Sequence, residues 1–189
     1  MKYADENMIK MMNEHKKKVH GSLEEGYIIK EVEYAFVEEN FFDNKMKIML
    51  PKCFDDMPIE LAKIKYPMEQ RPKIIKTNEK TDINISLNLT HQPYVDNQAK
   101  VVLKALKNAI ANVHQNNLFL EQNIETNEYG ATIAWFEFIS HGIDGRLYNL
   151  MFFTSVDGKM MNGVCNCAEK DLLNWRVVFM EILKNINIA

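Results

Sequence analysis

Cys165 and Cys167 are the first side chains whose types and spacing suggest chemistry. Residues i and i+2 of a strand point to the same side, so the two thiols would face one way and, with His141 or Cys53, could hold a metal ion. Structural zinc sites pair two cysteine knuckles, however, and thioredoxin-like redox sites use C-x-x-C. Because free cysteine is often buried, we expect structural thiols at a strand end.

Glu137 is the second candidate, because it lies between Phe136 and Phe138 in a run that reads as a central strand. A carboxylate buried there could act as a general acid or base. It could equally be a structural group paired with a cation, which is the interpretation that we favour. No second carboxylate is placed by the sequence to complete a glycosidase-type pair. The candidate cations are Arg146, Arg176 and Lys159.

Three asparagines, Asn149, Asn162 and Asn166, fall inside apolar runs. A buried amide must find hydrogen-bond partners or lose about 1–3 kcal/mol. The amides therefore either tie neighbouring strands together or line a polar pocket, and we favour the structural role.

The chain lacks the common enzyme signatures. The five histidines are dispersed without H-E-x-x-H, and His141 falls at a predicted hairpin end. The serines lack G-x-S-x-G, and neither G-x-G-x-x-G nor a P-loop is present. We therefore predict no catalytic, cofactor or metal residue.

The elements that must position these side chains centre on residues 129–167. Two Asp-Gly pairs, Asp144-Gly145 and Asp157-Gly158, separate apolar runs, which is typical of tight hairpins. The pattern predicts an antiparallel meander followed by a helix over 169–186. The strands of the meander are predicted at 131–141, 146–154 and 159–166.

Upstream of the meander, alternation predicts a strand over 82–90, with apolar residues on one face and Asn84, Ser86 and Asn88 exposed on the other. Spacing of 3 and 4 residues predicts a long helix over 94–115 whose polar face carries lysines. The other predicted elements are a helix over 3–18, strands over 27–38, 45–50, 74–75 and 117–127, and a loop over 51–72 with at most a short helical turn near 58–64.

Composition sets limits on function. The chain has 189 residues, 26% of them charged, and a formal net charge of −3, which argues against a dedicated nucleic-acid binder. Three cysteines cannot form a complete disulfide framework, which favours reduced thiols and a cytoplasmic setting. The N-terminus lacks the apolar core of a secretory signal, and no apolar run is long enough to span a membrane.

These elements predict an α+β domain in which a mostly antiparallel sheet of about six or seven strands lies between two long helices. We expect one domain over 26–189 and an N-terminal helical extension with a linker over 1–25. The order of these elements, with a few clustered residues, resembles the PsbP-like superfamily. The resemblance rests on a strand ending at Pro51, the KYPMEQRPKII segment, the WFEF and LYNLMFF strands, the DGK turn and CNC before a helix bearing Trp175.

That superfamily comprises α/β/α sandwiches, among them the photosystem II extrinsic subunit, the Mog-type Ran-binding factor and bacterial proteins of unknown function. The resemblance implies a non-enzymatic protein that works through its surfaces. Neither the photosystem role nor Ran binding is expected here, because the chain shows no targeting peptide and nothing marks it as nuclear.

The sequence therefore leads to one main hypothesis and two alternatives. The first is a non-catalytic cytoplasmic interaction module with a protein partner. The second is a small ligand- or metal-binding protein or enzyme that uses Glu137, His141, Cys165 and Cys167. The third is a homodimer paired through an edge strand such as 27–38. The candidate interaction surface is Asn84, Ser86, Asn88, Tyr66 and Arg71.

Overall fold

The computed structural model describes residues 7–12, 20–69, 71–113, 115–142 and 145–189. Its helices are α1 (residues 7–12), α2 (Ile59–Lys65), α3 (Ala99–Val113) and α4 (Leu172–Lys184). Its strands are β1 (Gly21–Ser22), β2 (Gly26–Ile29), β3 (Val32–Tyr34), β4 (Phe36–Phe41), β5 (Met46–Pro51), β6 (Asp55–Asp56), β7 (Ile74–Thr77), β8 (Ile83–Pro93), β9 (Leu118–Thr126), β10 (Thr132–Gly142), β11 (Gly145–Val156), β12 (Lys159–Ala168) and β13 (Asn187–Ile188).

The main sheet has seven strands in the order β6-β7-β8-β12-β11-β10-β9, and every neighbouring pair is antiparallel. The predicted α+β class and the meander β10-β11-β12 are confirmed. Asp157 and Gly158 both have positive φ and join β11 to β12, as the Asp-Gly signal predicts. At the other hairpin Gly145 pairs with Gly142, whereas Asp144 lies outside the described residues.

Strand alternation gives the main sheet two different faces. One face packs against α3 through a cluster that includes Phe136, Phe153 and Leu103. The opposite face packs against α4 through a larger cluster that includes Phe152, Trp175 and Phe179. Strands β10 and β11 carry buried, mostly apolar side chains on both sides, which is typical of central strands that are covered on both faces.

The predicted helix over 94–115 begins five residues later than expected. Strand β8 continues to Pro93, and the amide of Tyr94 donates to the carbonyl of Gly158 at 2.9 Å. A single 3-10 turn, Asp96–Gln98, then precedes α3. Tertiary hydrogen bonding at Tyr94 therefore shifts the helix start that the apolar spacing alone predicts.

The prediction of one continuous strand over 27–38 is wrong. The chain turns at Lys30 and Glu31, which both have positive φ, and then forms β3 and β4 separately. The segments belong to two small sheets, β1-β2-β3 and β13-β5-β4, which contribute to the α4-side core. That layer is consequently a helix with two small sheets rather than helices alone.

The N-terminal region contributes to the same core. Met12 and Leu23 are buried in the α4-side cluster, so these positions are not loosely attached. Of the helix predicted over 3–18, residues 7–12 are helical and the rest lies outside the described residues. The domain boundary at residue 25 stays a prediction. In the described part of the chain, no helix has the length and apolar character needed to cross a membrane.

Candidate functional site

The face of β8 that was predicted to be exposed is largely covered. Asn84 and Ser86 are buried, so their predicted exposure is wrong. The reason is the segment around α2, whose Met57 and Ala62 form a small core with Ile75. Ile75 lies on β7 directly opposite Ser86, so this core lies over the polar face of β8.

Asn84 takes part in a row of polar side chains across the sheet. Thr77 Oγ1 donates to Asn84 Oδ1 at 2.7 Å, and Asn84 Nδ2 donates to Asn166 Oδ1 at 2.9 Å. Burial raises the pKa of Tyr66, while a hydrogen bond with Asn166 opposes that shift. These contacts give Asn166 the strand-tying role that we favoured.

Asn149 also finds partners within the sheet. Its Nδ2 donates to Ser140 Oγ at 2.9 Å and to the carbonyl of Leu147 at 3.1 Å. Asn162 is half-buried and lies opposite Asn88 of β8. The asparagines therefore mark strand-to-strand contacts on the α3 side of the sheet.

The other members of the predicted surface, Asn88, Tyr66 and Arg71, are half-buried. The outer side of the α2 segment carries exposed apolar side chains instead. Ile59, Ile64 and Met68, here called the α2 surface, are 58%, 76% and 70% exposed. Arg71 Nε donates to the carbonyl of Tyr66 at 3.1 Å, which holds the chain after α2. The short helical turn predicted near 58–64 is present as α2, but its exposed apolar side chains were not predicted because residues 51–72 read mainly as a proline-punctuated loop.

Glu137 is fully buried and paired, on the α4 face of β10. Arg176 Nε donates to its Oε1 at 2.6 Å and Arg176 Nη2 to its Oε2 at 3.2 Å. Tyr148 donates its hydroxyl to the same Oε1 at 2.5 Å, and Arg176 Nη2 also reaches Glu121 at 2.6 Å. The favoured structural pairing of Glu137 is thus present, with Arg176 among the three predicted cations.

The surroundings of Arg176 and Tyr148 favour one protonation state of each side chain. Burial is the largest influence and lowers the pKa of Arg176, but the hydrogen bond to Glu137 and the charges around the guanidinium together exceed it, so the net shift is upward. Burial, followed by the charge of Glu137, raises the pKa of Tyr148 well above its usual value. The guanidinium stays charged and the phenol stays protonated at neutral pH, which suits a fixed structural contact.

Cys165 and Cys167 face the α4-side core together and are fully buried. Burial raises the pKa of both thiols, so the reactive thiolate is disfavoured. His141 lies at the exposed end of β10, and Cys53 is exposed and free. Within the described ranges, no three His, Cys, Asp or Glu side chains form a group that could hold a metal ion.

Two surface grooves lie beside helices α3 and α4. The larger, of about 550 Å³, runs between α3 and the edge strand β9 and is called the α3–β9 groove. The smaller, of about 370 Å³, lies beside α4 and includes Tyr27 and Glu181. The α3–β9 groove is lined by Lys100, Leu103, Lys104, Lys107, Asn108, Gln122, Asn123 and Ile124.

Comparison with known proteins yields matches in structure but not in sequence. No protein-family model and no curated protein matches the chain. The solved structure of cyanobacterial PsbP from Synechocystis superposes with a TM-score of 0.61 at 12% identity, covering 82% of this chain and 92% of that one. The chain has the PsbP-like fold. The predicted resemblance is therefore confirmed at the level of the fold.

Two further structures share this PsbP-like fold. The Saccharomyces cerevisiae Ran-binding protein Mog1p matches with a TM-score of 0.50 at 9% identity, over 82% of this chain and 96% of that one. LpqN of Mycobacterium tuberculosis, described as involved in cell envelope biogenesis, matches with a TM-score of 0.51 at 11% identity, over 87% and 98% of the two chains.

Proposed function

We propose that this protein is a non-catalytic interaction module that binds another protein through the α2 surface. The proposal rests on the two different sides of the α2 segment, one buried and one exposed. Its inner side packs Met57 and Ala62 against the sheet, whereas Ile59, Ile64 and Met68 face outward. Contiguous exposed apolar patches are typical of protein-binding surfaces, and these three side chains lie within ten residues of one another.

The positions of the potentially reactive side chains also support a non-catalytic role. Glu137 bonds with Arg176 and Tyr148, and the thiols of Cys165 and Cys167 lie in the core. The groups required by the alternative hypothesis therefore serve packing and hydrogen bonding, while His141 is exposed at a strand end. The cytoplasmic setting belongs to this proposal and is supported by thiols that are free rather than paired.

The nature of the partner follows from the chemistry of the α2 surface. Apolar side chains are flanked by the ion pair of Lys63 with Glu60, at 3.0 Å, and this arrangement resembles an apolar interface core with a polar rim. We propose an apolar patch of a folded protein as the occupant. Yeast Mog1p is described as a Ran-binding protein, which supports a protein partner on this fold without identifying Ran as the partner here.

A capture experiment with matched variants tests the placement. Ile64→Lys introduces a charge into the α2 surface, next to Glu60 one turn earlier on the helix. Ile28→Lys is the control, since Ile28 of β2 is 71% exposed and lies opposite Glu33 of β3. A protein retained by the wild type and by Ile28→Lys, but lost from Ile64→Lys, supports the proposal. Equal retention by all three proteins contradicts it.

A further inference from the structure

The α3–β9 groove combines an open strand edge with a stripe of lysines. Strand β9 is the last strand of the main sheet, pairing with β10 on one side and with no other described strand. The backbone groups on its outer edge are therefore free to pair with an added strand. Because the groove holds about 550 Å³ along this edge, an incoming segment has space beside α3.

The lysines follow the side of α3 that faces this edge. Lys100, Lys104 and Lys107 are four and three residues apart, so they form one stripe about 10 Å long. An extended segment of about four residues spans that length. Among the described residues, neither Lys100 nor Lys104 forms an ion pair, so their charges are available to an incoming group.

Lys107 is half-buried and is held against the wall of the groove. Its Nζ donates to Gln122 Oε1 at 2.7 Å and lies 5.1 Å from the centre of the Phe119 ring. Burial lowers the pKa of this ammonium group. A carboxylate from a partner would give Lys107 the counter-charge that these neutral neighbours do not supply.

The acidic side chains of β9 point away from the groove. Glu121 accepts from Arg176 at 2.6 Å, and Glu125 accepts from the Trp135 indole at 2.9 Å, both on the α4 side. The α3 side of β9 instead presents Gln122 and Ile124, and Ile124 is 37% exposed. A chain of net charge −3 thus presents a cationic groove beside a free strand edge.

We propose that the α3–β9 groove binds an extended acidic segment of a partner protein, which adds a strand to the free edge of β9. Main-chain hydrogen bonds to β9 supply affinity, and the lysines of α3 select carboxylates at alternate positions. This inference rests on the proposed function in assigning a protein partner, but it uses a different surface from α2. Failure at one surface therefore leaves the other intact.

The probe is an acetylated nine-residue peptide of glutamate alternating with threonine, titrated into the isotopically labelled full chain. We expect saturable amide shifts in β9 and α3, and none with a peptide of lysine alternating with threonine. Lys104→Gln should weaken binding by up to about fivefold, whereas Lys80→Gln, at an exposed turn outside the groove, should not. Raised salt should weaken binding because the lysines are solvent-accessible.

Backbone methylation separates strand addition from simple charge attraction. Amides of alternate residues point to the same edge of an extended peptide, so only one set can pair with β9. Of two peptides methylated either on the glutamate or on the threonine nitrogens, one should lose binding and the other should keep it. Equal binding of both isomers, or shifts outside β9 and α3, would overturn the proposal. Concentration-dependent β9 shifts in the protein alone would also overturn it, because they would identify a second copy as the occupant.

Discussion

Arg176 and Glu137 form a buried ion pair that fastens α4 to the centre of the main sheet. The guanidinium donates through Nε at 2.6 Å, and the carboxylate is completely inaccessible to solvent. Tyr148 donates to the same carboxylate from the adjacent strand β11. One helix and two strands are therefore joined through a single oxygen atom, Glu137 Oε1.

Replacement of Arg176 by methionine should destabilise the fold strongly, because it leaves the Glu137 carboxylate buried without a counter-charge. We expect a loss of about 3–5 kcal/mol in the free energy of unfolding. Urea denaturation followed by circular dichroism measures this loss. The double variant Arg176→Met with Glu137→Met should recover most of it, since an apolar pair replaces the ion pair.

Arg146→Ala is the control for this prediction. Arg146 is 40% exposed and pairs with Glu169 at 3.1 Å, so its loss should cost less than about 1 kcal/mol. Equal losses for Arg146→Ala and Arg176→Met would contradict the assignment of a special role to the buried pair.

The thiols give a second prediction about accessibility. Cys53 is exposed, whereas Cys165 and Cys167 are buried and their pKa values are raised by burial. A thiol reagent at pH 8 should modify one cysteine in the native protein and all three in denaturant. The Cys53→Ser variant should show no rapid reaction. Rapid modification of a second thiol in the native protein would contradict the placement of the Cys165–Cys167 pair in the core.

The sequence predicted the meander and the terminal helix because local signals determine both. Asp157-Gly158 adopts the positive φ that the hairpin requires, and the apolar stripe of α4 faces the sheet. Strand alternation, in contrast, shows which side of a strand is buried but not which sheet the strand joins. The turn at Lys30 and Glu31 lacks glycine or asparagine, so no residue signal reveals that 27–38 divides there.

The candidate site was predictable to a smaller extent. The pairing of Glu137 with a cation followed from its position between phenylalanines, and Arg176 was among the candidates. The burial of Asn84 was not predictable, since it depends on α2 folding back over the sheet. The lysines of α3 were recognised as a polar face, but a groove exists only because β9 is the edge strand.

Gly163 provides a prediction about packing between β11 and β12. A Cβ at this position would lie 2.4 Å from the Phe152 ring and 2.8 Å from the Ser86 carbonyl oxygen. Gly163→Ala should therefore lower the free energy of unfolding by about 1–3 kcal/mol, as expected for overpacking. Thermal or urea denaturation measures the change. Gly142→Ala, which meets the flexible Leu147 side chain at 3.2 Å, should cost less and serves as the comparison.

Asn84 gives a prediction about how much the buried polar row contributes to stability. Asn84→Ala removes a hydrogen-bond partner of buried Thr77 and of half-buried Asn166, and should cost about 1–3 kcal/mol because both side chains lose a hydrogen bond. Asn88→Ala, at a half-buried position four residues along β8, should cost much less. Denaturation of both variants provides the comparison. An undisturbed Asn84→Ala protein would show that the polar row contributes little to the fold.

Tyr94 determines how stability should change at alkaline pH. Burial, followed by the charge of Asp96, raises its pKa in the folded protein to about 12 from 10.0. The folded state therefore retains the phenolic proton that the unfolded state releases above pH 10. The resulting stabilisation is fully present below pH 10 and is lost as the pH rises from 10 to 12. Buried Tyr148, whose pKa is also raised, contributes with the same sign.

Tyr94→Phe removes the titrating group without removing the ring that packs edge-on to Phe153, at 5.7 Å between centroids. Its stability should fall less between pH 10 and 12 than that of the wild type, whereas Tyr129→Phe, at a position 53% exposed, should follow the wild type. Urea denaturation at pH 9, 10, 11 and 12 provides the profile. Parallel profiles for all three proteins would mean that the Tyr94 hydroxyl ionises as readily in the folded chain as in the unfolded one.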